Sequence, residues 1–286
     1  MADDWPTEGS AGRVTERKAI NTGRNLPVAI AVGVGLGGLV ILTLLTVPVT
    51  FLILVAAIVA VALWELRQVL ASHHTQLPLI PVAVGGAAMY VLAYAQGPRD
   101  LLAALGITFI AVLAWRLRGG ATGYVRDITA GVFALVYLPV MASFVALMVA
   151  QPDGAHRALL FVVLAACSDT GGYFTGILFG RHLMAPAISP KKTWEGLAGS
   201  VVLCLAAGAI GMRYLLPGTV WSGLALGAAA VAAATLGDLV ESIMKRDLDT
   251  KDMGSILPGH GGVLDRIDAM LITAPVAWLL MTIFLS

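Results

Sequence analysis

Charge is scarce in this chain. Asp, Glu, Lys and Arg supply only 12% of its 286 residues, about half the roughly 25% that a soluble domain carries. Hydrophobic residues supply 58%, and the mean hydropathy is +0.88. Water cannot solvate that composition as a compact globule, so a bilayer must be the main solvent. Cysteine is scarcer still. Cys167 and Cys204 both lie in apolar stretches, with no CxxC or Cys/His spacing around them, which excludes a disulfide framework and a cysteine metal site. Aromatic residues are few and scattered. There is no basic tract and the net charge is only +1, so no nucleic-acid partner is expected. No Walker loop, no GxGxxG opening a helix and no Ser/His/Asp order is present.

What the chain does have is apolar runs of bilayer length. Nine are expected, at 26–46, 49–66, 77–95, 101–117, 128–150, 158–180, 197–216, 220–238 and 269–285. The first two form one uncharged stretch divided at Pro48. A spanning segment must satisfy its own backbone hydrogen bonds, and these lengths suit helices rather than barrel strands. The expected fold is therefore an all-α polytopic membrane protein of about nine transmembrane helices. Residues 1–25 are polar with mixed charges and read as a disordered cytoplasmic tail. Residues 26–150 read as N-terminal transmembrane helices and 151–286 as a C-terminal transmembrane catalytic region. The stretch 26–46 is too long for a signal-peptide core and is closely followed by another span.

Orientation follows from the basic residues. With the N-terminus inside, 15 of the 18 Lys and Arg fall in inside segments, leaving only Arg99, Arg157 and Arg213 outside. This places the polar loops at 181–196 and 239–268 on the cytoplasmic side.

Those loops also concentrate the chemistry. Seven of the 17 acidic residues lie between Asp238 and Asp268, and four of the five lysines are Lys191, Lys192, Lys245 and Lys251. Asp238 stands at the cytoplasmic end of an apolar helix. If the helix continues, Asp238, Glu241, Ser242 and Lys245 share one face. A loop follows with Lys251, Asp252 and the run Pro258-Gly259-His260-Gly261-Gly262, where glycines let backbone N–H groups approach an anion. Asp265, Arg266 and Asp268 open the last span. Carboxylates that hold a divalent ion, with cations that neutralise phosphates, would use such a loop. The alternative is a loop whose charges merely pair in water. Asp238 and Asp265, however, sit at membrane boundaries, where ionisable groups are costly unless used.

Two further segments stand out. Ser189-Pro190 predicts a helix start, with Ser189 as N-cap and Lys191, Lys192 and Thr193 in the first turn, which would make an anion site. Asp169 falls half-way through an apolar helix, with Gly171 and Gly172 placed to break the helix around it. His73, His74, His156 and His182 read as interfacial or loop residues.

Several of these segments together resemble a known family. Ser242-Ile243-Met244-Lys245-Arg246, then four residues, then Lys251-Asp252, then Leu257-Pro258-Gly259-His260-Gly261-Gly262-Val263-Leu264-Asp265-Arg266-Ile267-Asp268 resembles the signature of phosphatidate cytidylyltransferases, also called CDP-diacylglycerol synthases. The Ser189–Gly196 loop and the Ser168–Tyr173 segment resemble the same family, with Gly172 where many members have alanine. The similarity covers roughly residues 160–286. It implies transfer of CMP from CTP to phosphatidic acid, giving CDP-diacylglycerol and pyrophosphate in phospholipid biosynthesis. It also implies Mg²⁺, as one ion or two, a homodimer, and a place in the cell (inner) membrane with the active site facing the cytoplasm.

Asp238 and Asp265 are then the implied metal ligands, and with Lys192, Lys251 and His260 they form the expected catalytic set. Lys191, Lys192, Lys245, Arg246, Lys251 and Arg266 are expected on phosphates. His260, Gly261 and Gly262 shape the loop. Asp169, Ser189, Thr193, Glu241, Asp252 and Asp268 bind or support substrate. Two competitors remain: a CTP-dependent kinase of a polyprenol-type lipid, and a secondary transporter using Asp169 as a coupling-ion site.

Overall fold

The structure, a computed structural model, describes residues 26–256 and 261–285. The expected tail at 1–25 and His260 lie outside the described residues. The helices are α1 (Leu26–Thr46), α2 (Pro48–Ser72), α3 (Leu79–Ala95), α4 (Pro98–Leu117), α5 (Tyr124–Leu135), α6 (Met141–Val149), α7 (Gly154–Phe179), α8 (Trp194–Ile210), α9 (Val220–Asp247) and α10 (Leu264–Phe284). A π-helical turn at Val136–Val140 joins α5 to α6, and another at Gly211–Leu215 extends α8. The chain is an all-α polytopic membrane protein. Among the described residues, seven helical runs are long and apolar enough to cross a membrane, while α3 and the Gly37–Thr46 part of α1 are apolar over shorter lengths.

Local chemistry sets several boundaries. Val47 is extended and Pro48 opens α2, because the first helical position needs no N–H donor. Pro139 lies inside the wider π turn, which accommodates a residue that cannot donate to the ladder. Many outward side chains are apolar, among them Ile107, Val125 and Ile177. In water they would form an aggregation surface; in lipid they are solvated.

The second half of the chain is a tightly packed series in which α7 lies on α8, α8 on α9 and α9 on α10. Two expectations are corrected here. First, Gly171 and Gly172 do not break α7, which runs unbroken to Phe179. Instead, a Cβ on Gly171 would lie 2.6 Å from the Gly199 carbonyl oxygen. The glycine lets α7 and α8 backbones touch, the usual role of small residues between membrane helices.

Second, Ser189 does not cap a helix. Ser189–Thr193 is strand β2, paired antiparallel with β1 (Leu183–Ala185), with Leu183 opposite Thr193 and Ala185 opposite Ser189. Pro190 holds Ser189 extended, which suits a strand as well as a helix cap; the pairing with Leu183–Ala185 decides for the strand, and a two-stranded hairpin tolerates the missing donor. The helix starts four residues later. Thr193 is its N-cap, accepting from Gly196 N at 3.1 Å. Lys191 and Lys192 therefore project from a strand.

Candidate active site

A cavity of about 240 Å³ opens where the hairpin covers α7, α8 and α9. Asp169 and Ser168 reach it from α7, Lys191, Lys192 and Thr193 from β2, Ser200 from α8, and Thr235 and Asp238 from α9. Five residues singled out in the sequence, Asp169, Lys191, Lys192, Thr193 and Asp238, are thus brought to one wall-to-wall space. Lys192 Nζ donates to Asp238 Oδ2 in a close ion pair, with 25% and 31% of the two side chains exposed. The charges of Asp169, Asp238 and Lys192 act on one another, so a phosphate entering here meets both signs at once.

The hairpin is held over the cavity by its own ties. Glu195, in the first turn of α8, accepts from Arg181 N and His182 N at 3.2 Å each and pairs with His182 Nδ1 at 2.6 Å. Arg246, near the end of α9, donates its Nε to the Ile188 carbonyl. Arg246, one of the residues expected on phosphates, thus engages the hairpin turn through its Nε. Ser189, expected at the anion site, lies on the strand beyond the cavity lining.

A second polar group lies where α9 meets α10. The predicted shared face of α9 is real: Lys245 pairs with Glu241 one turn earlier at 2.5 Å, and it also reaches Asp265 Oδ1 at 3.1 Å. Asp265 further accepts from Met253 N at 3.0 Å and Gly262 N at 3.0 Å. Gly237 brings this group near the cavity. A Cβ there would lie 2.7 Å from the Asp268 carbonyl oxygen, so α10 seats its first turn directly on α9 beside Asp238. Asp238 and Asp268 are within electrostatic reach of each other. Asp268 is buried, whereas Lys251 and Arg266 are on the surface. Asp252 lies beside Gly261, which has φ +90° and so needs a residue without a Cβ.

The donor set is all oxygen, which suits Mg²⁺ rather than a soft metal. Glu241 abuts Asp265, and its Oε1 is buried without a hydrogen-bond partner. Two carboxyl groups in contact around one lysine leave room in the charge balance for a further cation. Among the described residues, no three of His, Cys, Asp or Glu form a ready-made cage. A Mg²⁺ ion there would take one or two carboxylates and complete its shell with phosphate oxygens and water.

Sequence reasoning missed Ser200 and Thr235, which line the cavity from otherwise apolar helices, and Glu65. Glu65 is 2% exposed and accepts from Val263 N and Leu264 N at the start of α10. Its signal was visible: it is the sole acidic residue between Glu16 and Asp100, and it lies within an apolar span.

Comparison with known proteins agrees with the resemblance in the sequence and extends it over the whole chain. The model described as the cytidylyltransferase family matches residues 27–284. A phosphatidate cytidylyltransferase of Mycobacterium leprae is 40% identical over 96% of this chain and 93% of its own length. One from Mycobacterium bovis is 39% identical over 97% of this chain and 96% of its own length. One from Mycobacterium tuberculosis is 39% identical over 97% of this chain and 90% of its own length.

Proposed function

The chain belongs to the cytidylyltransferase family, and we propose that it is a phosphatidate cytidylyltransferase acting on CTP and phosphatidic acid. A phosphate oxygen of phosphatidate attacks the α-phosphorus of CTP. The bond from that phosphorus to the bridging oxygen breaks, pyrophosphate leaves, and CDP-diacylglycerol stays in the membrane. Such a transfer asks little covalent chemistry of the protein; positioning and charge neutralisation dominate.

One observation carries the assignment of the site. Three separate elements deliver Asp169, Lys191, Lys192, Thr193 and Asp238 to a single cavity in an otherwise apolar chain. Lys191 and Lys192 take the phosphates, and the Thr193 hydroxyl offers a neutral donor. Asp169 and Asp238 set the charge balance. Lys245, Arg266 and Lys251, with Gly261 and Gly262, serve the phosphates from the α10 side, while Glu241, Asp252 and Asp268 support them; His260 is assigned to the same set. Mg²⁺, held by Asp238 and Asp265, would neutralise the triphosphate. The active site faces the cytoplasm and the enzyme works as a homodimer in the inner membrane; the excess of Lys and Arg in the same loops supports that orientation.

The test is direct. The purified chain in detergent micelles receives CTP, radiolabelled in its cytosine ring, and phosphatidic acid. Labelled CDP-diacylglycerol with one pyrophosphate per lipid is expected. Release of labelled CDP with a phosphorylated lipid would assign a kinase instead, and no turnover of CTP with any lipid would return the transporter. For orientation, single cysteines at positions 191 and 251 in a cysteine-free background should resist an impermeant thiol reagent added outside intact cells. Labelling of both would reverse the topology.

A further inference from the structure

The start of α10 has no cap of its own. Its N-cap position is Val263, whose side chain cannot accept a hydrogen bond, so the first amides of the helix need partners from elsewhere. They find them in α2. Val263 N donates to Glu65 Oε1 at 3.0 Å and Leu264 N to Glu65 Oε2 at 2.9 Å. The amide just before, Gly262 N, donates to Asp265 Oδ2 at 3.0 Å. Three successive N–H groups are thus divided between two carboxylates, one local and one 198 residues away in sequence. Gly254 closes the arrangement from the other side: a Cβ on it would collide with the Glu65 carboxylate.

We propose that Glu65 is a positioning residue for the reaction, capping α10 from α2 so that Asp265 and Arg266 are presented at a fixed angle to the cavity. The proposal rests on the phosphatidate cytidylyltransferase reading. Three physical points carry it. An acid inside an apolar span is costly, and here the two N–H groups together with the positive end of α10 offset that cost. Each Glu65 oxygen serves a different amide, so an amide side chain could satisfy only one and would set its own NH₂ against the other. And Asp265 follows Leu264 directly, so fraying of the cap moves the carboxylate itself. The N-terminal half of the chain, apolar over most of its length, then contributes to the active site through Glu65.

The experiment compares wild type with Glu65→Gln and with Gly254→Ala, which displaces Glu65 without altering it. Both should purify as wild type does. Turnover with CTP and phosphatidic acid should fall in kcat by about 30-fold, while KM for CTP moves less than about threefold, the pattern of a displaced rather than a missing binding group. Amide hydrogen exchange of residues 262–266 should quicken by about tenfold, with α7, α8 and α9 unchanged. Unchanged exchange at 262–266 in either variant would overturn the proposal. So would a uniform rise across the chain, which marks general destabilisation. If Glu65→Gln does not fold, Gly254→Ala decides alone, and wild-type kinetics in it count against the proposal. The exchange measurement needs no substrate. Failure of the wild type to make CDP-diacylglycerol would therefore refute the functional reading while leaving the capping result to stand or fall separately.

Discussion

Asp238 and Asp265 are the same residue type, yet the fold treats them differently. Asp238 pairs with Lys192 and keeps 31% of its side chain open at the cavity. Asp265 is 5% exposed, and both its oxygens are occupied, by Lys245, Met253 N and Gly262 N. A carboxylate with one exposed partner can exchange it for a ligand at small cost, since half-exposed pairs contribute little net energy. A carboxylate holding two backbone amides also shapes the chain, and can serve a metal only by keeping that loop in place. Both are proposed metal ligands, but only one should double as a structural clamp.

That difference can be broken experimentally. The largest combined effect is expected at Asp265→Asn. Turnover should drop by about a thousandfold, and thermal stability in micelles should fall as well, by about 2 kcal/mol for the buried donors it abandons. Asp238→Asn should lose turnover by a similar factor of about a thousand, with the melting temperature and oligomeric state unchanged. Equal melting temperatures for the two variants would erase the distinction, and robust activity in either would remove it from the metal assignment. Excess chelator should silence the wild type, reversibly on adding Mg²⁺.

Lys192→Ala comes next, with an expected loss of about a hundredfold in kcat/KM and normal folding. Combined with Asp238→Asn, its effect should be less than additive, because each variant already breaks the same pair. Strict additivity in that double-mutant cycle would show that the pair does not act as a unit. Asp169→Asn should have the smallest effect, about tenfold in turnover, since the amide keeps the shape and much of the hydrogen bonding. Near-normal activity would make Asp169 a packing residue.

The legible parts of this molecule were those encoded locally. Hydropathy located the apolar helices, and Pro48 marked the break between α1 and α2. The spacing of Glu241 and Lys245 gave their ion pair, because both lie on one face of one helix. What failed depended on neighbours far away in sequence. Ser189-Pro190 carries a sound local helix-start pattern, but pairing with Leu183–Ala185 outweighs it. Gly171 invites a break until Gly199 is seen against it. Glu65 could be flagged as an anomaly in an apolar span, but no spacing rule connects it to amides 198 residues on.

The contact of Gly237 with the Asp268 carbonyl has a consequence for how this protein can vary. It works as an index mark between two parallel rulers. Each residue of a helix advances about 1.5 Å and turns about 100°, so any insertion is felt as rotation on one side of the mark. One residue added between Asp238 and Lys245 would leave Asp238 in the cavity but swing Lys245 away from Asp265. One added in α10 between Asp265 and Asp268 would keep the mark and turn the opening of that helix instead. Toward Val220 the same helix is pinned to α8 in a similar way, since a Cβ on Gly223 would lie 2.3 Å from the Gly208 carbonyl oxygen and one on Gly227 2.3 Å from that of Cys204. Between the mark and the loop the residue count is fixed, and substitutions are tolerated there far better than a change in number.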